Sequence, residues 1–530
     1  MVIATRLLPM GDRAVLAEVG SLDDVLALHA ALAASRVEGV IDLVPAARTV
    51  LVHVDPSALT LAAARSWIDR AARETDAAAP VPADAPVVEL DVAYDGPDLA
   101  STAGLLAIGP GELAERHAAA EWTVAFTGFA PGFAYLVSPA WTFDVPRLAS
   151  PRTRVPAGAI GLAAGFAGAY PRETPGGWRL IGTTSAALFD PDAAAPALLT
   201  PGARVRFVPR ATGPATAGAS GTGGDASAGS ATVGEDAAEA AQRSIRIIEP
   251  GLLATIQDLG RPGAASLGVA LSGALDRGAL RTANRLVGNL EHAAGIEITM
   301  GGLRAVAQGD LWFAVTGAWG PILLDGRQVD PYEAHPWAAG AELRVDWFAH
   351  GARGFLAIRG GLGGRAVLGS RATDLLAGLG PAPLHAGDAV AVRDEASGPV
   401  PVAGIAPWGA PDDADLVVEL APGPRADWFA ASALVDLYES VWTVTNDADR
   451  VGVRLDGPVL ERVRHGELPS EGMAVGALQV PPTGRPTILL MDGPVTGGYP
   501  VIAVVTDAAL DAIAQARPGT RIRFRHARAN

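Results

Sequence analysis

Val155-Pro156-Ala157-Gly158, then Gly168-Ala169-Tyr170-Pro171, then Pro201-Gly202-Ala203-Arg204-Val205-Arg206-Phe207 form a phrase that recurs in the second half of the chain. There it reads Val480-Pro481-Pro482-Thr483-Gly484, then Gly497-Gly498-Tyr499-Pro500, then Pro518-Gly519-Thr520-Arg521-Ile522-Arg523-Phe524. Three landmarks return in one order, each joining Pro/Gly turn chemistry to an apolar strand. Recurrence on that scale implies one small β unit used twice. An active site shared between the two related modules is the expectation that follows.

Around the first copy, from Val87 to Val208, the text is strands and Gly/Pro turns with few helical stretches, the pattern of an all-β barrel. The segment before it, to about residue 80, reads as a small α/β domain. Ser21-Leu22-Asp23-Asp24 opens a helix with a capping-box pattern, and Val25, Leu28 and Leu32 follow at helical spacing. Val50 to Val54 reads as a strand, Ala62 to Arg73 as a second helix, and Asp76 to Pro86 as a Pro/Ala linker. Residues 211–243, almost wholly Ala, Gly, Ser, Thr and acidic, read as a flexible tether joining two formerly separate polypeptides. The second half restarts with the strand Ile245 to Ile248 and a short helix from Arg277 to Val287. Two β-rich lobes follow, divided near residues 395–413, where Gly, Pro and Asp accumulate. The expected organisation is therefore 1–80, 87–210, the linker 211–243, 245–395 and 414–530: mainly β with α/β elements, two barrels in tandem and a small N-terminal α/β domain.

Composition narrows the function. A formal charge of −16 over 530 residues argues against a nucleic-acid partner. The longest uncharged run, Val155 to Pro171, is interrupted by Pro156 and four glycines, so no membrane association is expected. Met1 to Pro9 carries a single Arg and no secretory pattern. Cys is absent, which removes disulfides, thiolate metal sites and a Cys nucleophile and suits a cytoplasmic protein. All 41 basic residues are Arg, none Lys. The chain therefore has no Walker A lysine, Schiff-base lysine or biotinyl-lysine, and an anion must be held by Arg forks, backbone N–H groups or a metal. The nine His show no ligand spacing, so no metal site is expected.

The candidate site residues gather around the repeat. Gly128-Phe129-Ala130-Pro131-Gly132-Phe133 reads as a packed loop or as a ligand-facing rim. Arg152 and Arg154, two apart on a strand beside Gly158, point the same way and suit bidentate capture of a carboxylate or phosphate, or else form solvated salt bridges. Tyr170 and the turn Gly176-Gly177-Trp178 add an aromatic wall. In the second half, Arg450 and Arg454 form another spaced pair. Gln479 stands among apolar residues, where an unpaired amide is costly, so it is either bonded internally or aimed at a ligand. Asp492, Thr496 and Tyr499 cluster before Pro500. Asp492 follows the buried-looking strand Ile488 to Met491 and is either a proton carrier or a turn cap.

These stretches resemble a known family. Residues 87–208, through Gly128 to Phe133, Ser150 to Gly158 and Thr174 to Gly182, resemble the first of the paired proteins labelled allophanate hydrolase subunits 1 and 2. Residues 245–530 resemble the second, through Thr255 to Arg261, Gly273 to Asp276, Ala283 to Asn289, Leu368 to Arg371 and Thr496 to Pro500. The resemblance implies cyclophilin-like β-barrels. It also implies a role as fused B and C subunits of an ATP-dependent 5-oxoprolinase, which opens the lactam to glutamate together with a separate A subunit. Two alternatives come with it: the carboxyltransferase part of a urea carboxylase-type biotin enzyme, and a regulatory module that binds a histidine kinase. On the first reading ATP and Mg²⁺ are used, held partly by the partner subunit, and no biotin is attached to this chain. The substrate is a small lactam or urea-like molecule, and homo-oligomers are compatible with the tether. On the first reading Arg152 and Arg154, or Arg450 and Arg454, are expected to bind the carboxylate or the transferring phosphate, Gln479 to orient the lactam, and Asp492 or Tyr499 to handle a proton. Two departures bear on pocket shape: the family's Asp-Arg-Met-Gly-Tyr-Arg-Leu reads Asp449-Arg450-Val451-Gly452-Val453-Arg454-Leu455, and Gly493-Pro494 replaces the pair that usually follows Asp492.

Overall fold

The computed structural model describes residues 3–75, 87–210, 243–395, 398–401, 409–411, 415–466 and 468–528. The expected linkers at 76–86 and 211–242 lie outside the described residues. The chain forms two compact units, one of residues 80–239 and one that joins residues 1–79 to 240–530.

The first of these units is a barrel. Its strands run in the order Arg179–Thr183, Ala159–Ala163, Phe166–Ala169, Ala134–Val137, Trp122–Thr127, Arg204–Pro209 and Val87–Val92. A bridge between Ala93 and Thr183 returns the last strand to the first. Arg204–Pro209 pairs parallel with Val87–Val92 and antiparallel with Trp122–Thr127. Alternation along these strands sends Leu90, Val92, Val124, Leu136, Ile160, Ile181 and Phe207 into one core. Two helices missed in the sequence, Leu99–Leu105 and Pro110–Ala119, stand between Val87–Val92 and Trp122–Thr127.

The second barrel is closed, in the order Leu416–Pro422, Val501–Val505, Ala477–Gln479, Thr487–Leu489, Gly452–Asp456, Val441–Val444 and Arg521–His526. Strand for strand this is the topology of the first, including the parallel pair Leu416–Pro422 with Arg521–His526. Each barrel carries a two-stranded ribbon at the same place in the order, Arg152–Val155 with Thr174–Gly176 and Glu471–Gly472 with Thr496–Gly497. Each also has a β-bulge where the strand after the ribbon meets the barrel, between Leu180 and Gly182 and opposite Leu478 and Gln479. The duplicated unit is therefore real, and the mainly β class with tandem cyclophilin-like barrels stands.

The register of the repeat needs correction. Strand pairing matches Gly161 with Gln479, because Leu180 pairs with Gly161 as Val501 pairs with Gln479. That places Val155-Pro156-Ala157-Gly158 opposite Met473-Ala474-Val475-Gly476, not opposite Val480 to Gly484, which form the next hairpin turn. Gly158 and Gly476 both have positive φ, at 78° and 87°. Likewise Gly497-Gly498-Tyr499 corresponds to Gly176-Gly177-Trp178, and not to the phrase ending at Tyr170. Only the third landmark, the strand after Pro201-Gly202 and Pro518-Gly519, is matched residue for residue. Pro/Gly turns recur at every hairpin of such a barrel, so turn composition cannot tell one hairpin from the next.

The N-terminal segment is the expected α/β domain, a four-stranded antiparallel sheet in the order Arg6–Pro9, Ala14–Glu18, Thr49–Val54, Val40–Pro45. Its helices are Leu22–Ala34, capped by Ser21, and Leu61–Glu74, capped by Thr60. Both faces of the sheet are apolar, so both must be covered. Val15, Ala17, Val50, Val52 and Val54 pack on the two helices. Leu8, Met10, Leu16, Val44 and Leu51 pack on the outside of the second barrel, against Met473, Ala477, Leu489, Val501 and Val504. The remaining lobe, 243–395, packs a six-stranded and a five-stranded sheet around Phe313, Trp337 and Leu356, with the helix Arg277–Leu286 alongside. Among the described residues no helix is long and apolar enough to cross a membrane.

Candidate functional site

On the first barrel the sequence-predicted residues do come together, on the outer face of the sheet. Phe133 meets Tyr170 and Trp178 edge-on, at ring-centre distances of 5.0 and 5.3 Å, and Tyr135 meets Trp178 at 5.4 Å. Glycines make the room. A Cβ at Gly176 would lie 2.6 Å from the Tyr170 hydroxyl, and one at Gly168 would lie 3.0 Å from the Trp178 ring. The loop Gly128 to Gly132 is mostly buried, with Pro131 inside; Gly128 N–H donates to the Phe133 carbonyl at 3.1 Å. Phe129 alone turns outward, 41% exposed and at φ 66°, a conformation L-residues rarely adopt. Burial pushes the Tyr135 and Tyr170 hydroxyls up to about 12, so both are neutral hydrogen-bonding groups at ordinary pH.

The two arginines of this face do not act as a pair. Arg152 Nη2 donates to Asp98 Oδ1 at 2.7 Å, while Asp98 Oδ2 accepts the Leu180 N–H at 2.8 Å. Its Nη1 is buried without a partner. Arg154 is exposed and donates to Glu173 at 2.7 Å. The expectation that Arg152 and Arg154 point together at one anion is corrected: each already has a carboxylate of its own.

The second-barrel pair separates further. Arg450 lies at the bottom of a fully buried network. Its Nε and Nη2 grip both oxygens of Asp492 at 3.0 Å, Nη1 donates to Glu297 at 2.7 Å, and Nη2 also reaches the Gly273 carbonyl at 2.7 Å. Burial lowers the pKa of a guanidinium, yet the two carboxylates outweigh it and hold Arg450 above its ordinary value. Glu297 in turn accepts the Leu275 N–H at 2.9 Å. Arg450 is thus the hub of this network, and Asp492 is its counterion. Arg454 is exposed and donates to the Asp447 carbonyl at 3.1 Å.

Gln479 is buried, with Nε2 3.1 Å from the Met473 sulfur, a weak partner for an amide. It lies under the turn: a Cβ at Gly497 would stand 2.5 Å from Nε2. Thr496 is buried in the ribbon, and Tyr499 is 47% exposed above it.

A cavity of about 250 Å³ opens between the N-terminal sheet, the loop from Leu259 to Leu271 and the outer face of the second barrel. Met473, Leu489 and Val504 give it an apolar wall; Asp42, His53, Arg261 and Arg277 give it polar groups. The His53 ring bonds the Met473 backbone, and burial pushes its pKa down to about 4. Asp42 accepts the Gly263 N–H at 2.9 Å; burial raises it to about 6 against that bond and those from Ala265 and Ser266. Arg261 Nε donates to the Val367 carbonyl at 3.2 Å and Nη2 to that of Ala372, while Nη1 has no partner. Arg13 and Arg277 both bond Asp507.

Two family models match the chain: "Carboxyltransferase domain, subdomain C and D" over residues 5–199, and "Carboxyltransferase domain, subdomain A and B" over 267–526. The chain is 36% identical to the 5-oxoprolinase C subunit of Escherichia coli (strain K12) over 285 residues, 53% of this chain and 90% of that protein. It is 39% identical to the 5-oxoprolinase B subunit of Escherichia coli O157:H7 over 178 residues, 33% of this chain and 80% of that one. The chain belongs to the carboxyltransferase-domain family, alongside the B and C subunits of 5-oxoprolinase. What stands there as two subunits is one polypeptide here. The crystal structure of TTHA0988 superposes with a TM-score of 0.81 at 34% identity, covering 97% of this chain and 99% of that one.

The family stretches read in the sequence have structural work in this fold. Asp258 accepts the Ser370 hydroxyl and the Arg371 N–H, both at 2.6 Å, tying Thr255 to Arg261 onto Leu368 to Arg371. Asp276 caps the helix Arg277–Leu286 through the Ala279 N–H at 2.8 Å. Sequence reading missed Glu297, His53, Asp42 and Arg261 as site residues. A Glu in the apolar run Gly295-Ile296-Glu297-Ile298 was an available signal, since a charge flanked by Ile on a strand is often buried and then needs a partner. His53 in Leu51-Val52-His53-Val54 gave the same signal.

Proposed function

We propose that this chain is the fused B and C component of an ATP-dependent 5-oxoprolinase and opens 5-oxo-L-proline to L-glutamate together with a separate A subunit in the cytoplasm. One observation carries the reading: the two relatives that bear those names are covered over 80% and 90% of their lengths. ATP and Mg²⁺ are used on this reading, held partly by the partner subunit. Among the described residues no group of three His, Asp or Glu is placed to hold a metal ion, and the chain has no Lys to clamp a phosphate. The share of the reaction left to this chain is to bind and orient the lactam and to shield the opening ring from water. Neither Arg450 nor Asp492 is given a step, because each is committed to the other. Mixing the protein with its A subunit, ATP, Mg²⁺ and 5-oxo-L-proline is expected to yield glutamate and ADP in step. No product from a folded, associated pair would end the proposal.

A second reading, carboxyl transfer, draws on the description of the family models. It requires a biotin carrier on another chain, since a biotinyl-lysine cannot be formed here. Consumption of carboxybiotin by this protein, with no lactam turnover, selects that reading instead.

A further inference from the structure

We propose that the cavity between the N-terminal sheet and the second barrel binds a small cyclic amide, with His53 accepting the amide N–H and the guanidinium of Arg261 donating to the carbonyl. The choice of a cyclic amide rests on the 5-oxoprolinase reading, whereas the place and polarity of the site rest on geometry.

Of the polar groups in the wall, His53 is the most selective. Its bond to the Met473 backbone raises its pKa, so the ring N–H is the donor and the carbonyl the acceptor. Burial nevertheless keeps the ring neutral at ordinary pH. With one nitrogen protonated and fixed on Met473, the other carries a lone pair and can only accept. A group that brings an N–H is matched to it; a carboxylate oxygen or an ether is not. Arg261 supplies the complement. It lines the cavity and is 1% exposed, two of its nitrogens are tied to backbone carbonyls, Nη1 makes no hydrogen bond within the chain, and Asp374 is the carboxylate that acts most strongly on it. A buried donor without a partner favours a ligand that brings an acceptor.

An amide presents both requirements side by side, and a lactam holds its N–H and C=O on the same edge of a ring. The rest of the wall suits a compact ring. Met473, Leu489 and Val504 are apolar and buried, and a volume of about 250 Å³ admits one small ring with its substituent. Arg13 and Arg277 are held on Asp507, and Arg281, 3.9 Å from Glu291, is the further cation of the wall that a carboxylate on the ring would meet. The equivalent outer face of the first barrel carries Phe133, Tyr170 and Trp178 in place of a covering sheet. The cavity is therefore a property of the second barrel, the N-terminal segment and the loop from Leu259 to Leu271.

The test is calorimetric titration of the intact protein, without the A subunit, using 5-oxo-L-proline, 2-pyrrolidinone and cyclopentanecarboxylate. Both amides are expected to bind at one site and the acid without an amide to fail. His53→Leu should weaken amide binding at least tenfold, and Ala474→Leu, which fills the cavity from the barrel side, should do the same; unchanged melting of each variant shows that the fold is kept. Amide binding that survives both substitutions, or no amide binding to the parent protein, overturns the proposal even if the reconstituted enzyme makes glutamate. Binding abolished by both substitutions, with no turnover by the parent protein and its A subunit, keeps the site and removes the 5-oxoprolinase reading.

Discussion

At Arg450 one guanidinium faces two carboxylates and a carbonyl in a place water does not reach. Arg450, Glu297 and Asp492 are each no more than 1% exposed. Removing one member of such a group leaves the others charged and dry, which costs about 3–5 kcal/mol. Arg450→Met is therefore expected to lower the stability of the unit containing the second barrel by that amount, read from its urea unfolding curve. An unchanged midpoint would show that the network is not structural and would return Arg450 to the list of ligand-binding residues. The sequence made Arg450 and Asp492 visible as chemistry but not as each other's partner. They are 42 residues apart, and Glu297 is 153 residues from Arg450. Spacing within a strand says where side chains point only while the strand lasts. Here the strand begins at Gly452, so Arg450 leaves the alternation that governs Arg454.

At the scale of strands and turns, much was legible because barrels repeat simple rules. The helix after Ser21, the helix read from Ala62 to Arg73, the strands Val87–Val92 and Arg204–Pro209, and the doubled unit itself follow from capping, periodicity and recurrence. The register of the repeat did not follow, because it was anchored on Pro/Gly turns. A better anchor is the paired Glu121-Trp122-Thr123-Val124 and Val441-Trp442-Thr443-Val444. Each Trp is buried and donates its indole N–H to a carbonyl five residues back, in His117 and in Leu437, at 3.0 and 3.1 Å. Packing fixes a large side chain more narrowly than a turn fixes its glycine. The turns themselves differ in what they demand. Gly158 has φ 78° and its Cβ would stand 2.3 Å from the Thr184 carbonyl oxygen, whereas Gly202, at φ 85°, has open space around that position. Gly202→Ala should cost about 1 kcal/mol, the strain of a left-handed residue. Gly158→Ala adds a backbone clash and should cost roughly 3 kcal/mol or more. Equal melting temperatures for the two variants would show that the ribbon gives way freely and that Gly158 is only a conformational choice.

At the scale of the molecule, chain order is a poor guide to what packs with what. The N-terminal domain precedes the first barrel directly, and it matches the subdomain C and D model together with it, yet its second apolar face is buried on the second barrel. Arg425 reinforces the contact, donating to Glu471 of that barrel's ribbon and, at 2.6 Å, to Glu18 of the N-terminal sheet. No local pattern could announce this, because a sheet apolar on both faces states only that two covers are needed. The consequence is an asymmetric response to truncation. Residues 87–210 hold their own core around Trp122, Leu136 and Phe207, so that segment expressed alone is expected to be soluble and to unfold cooperatively. Residues 243–530 without the N-terminal domain leave Met473, Leu489, Val501 and Val504 uncovered and Glu471 without the cover that excludes water from its pair with Arg425. That fragment is expected to aggregate or to melt well below the intact protein, and residues 1–79 supplied as a second chain should restore it. A fragment 243–530 as stable as the whole protein would mean that the outer face of the second barrel needs no cover, and the cavity beneath the N-terminal sheet would lose its structural reason to exist.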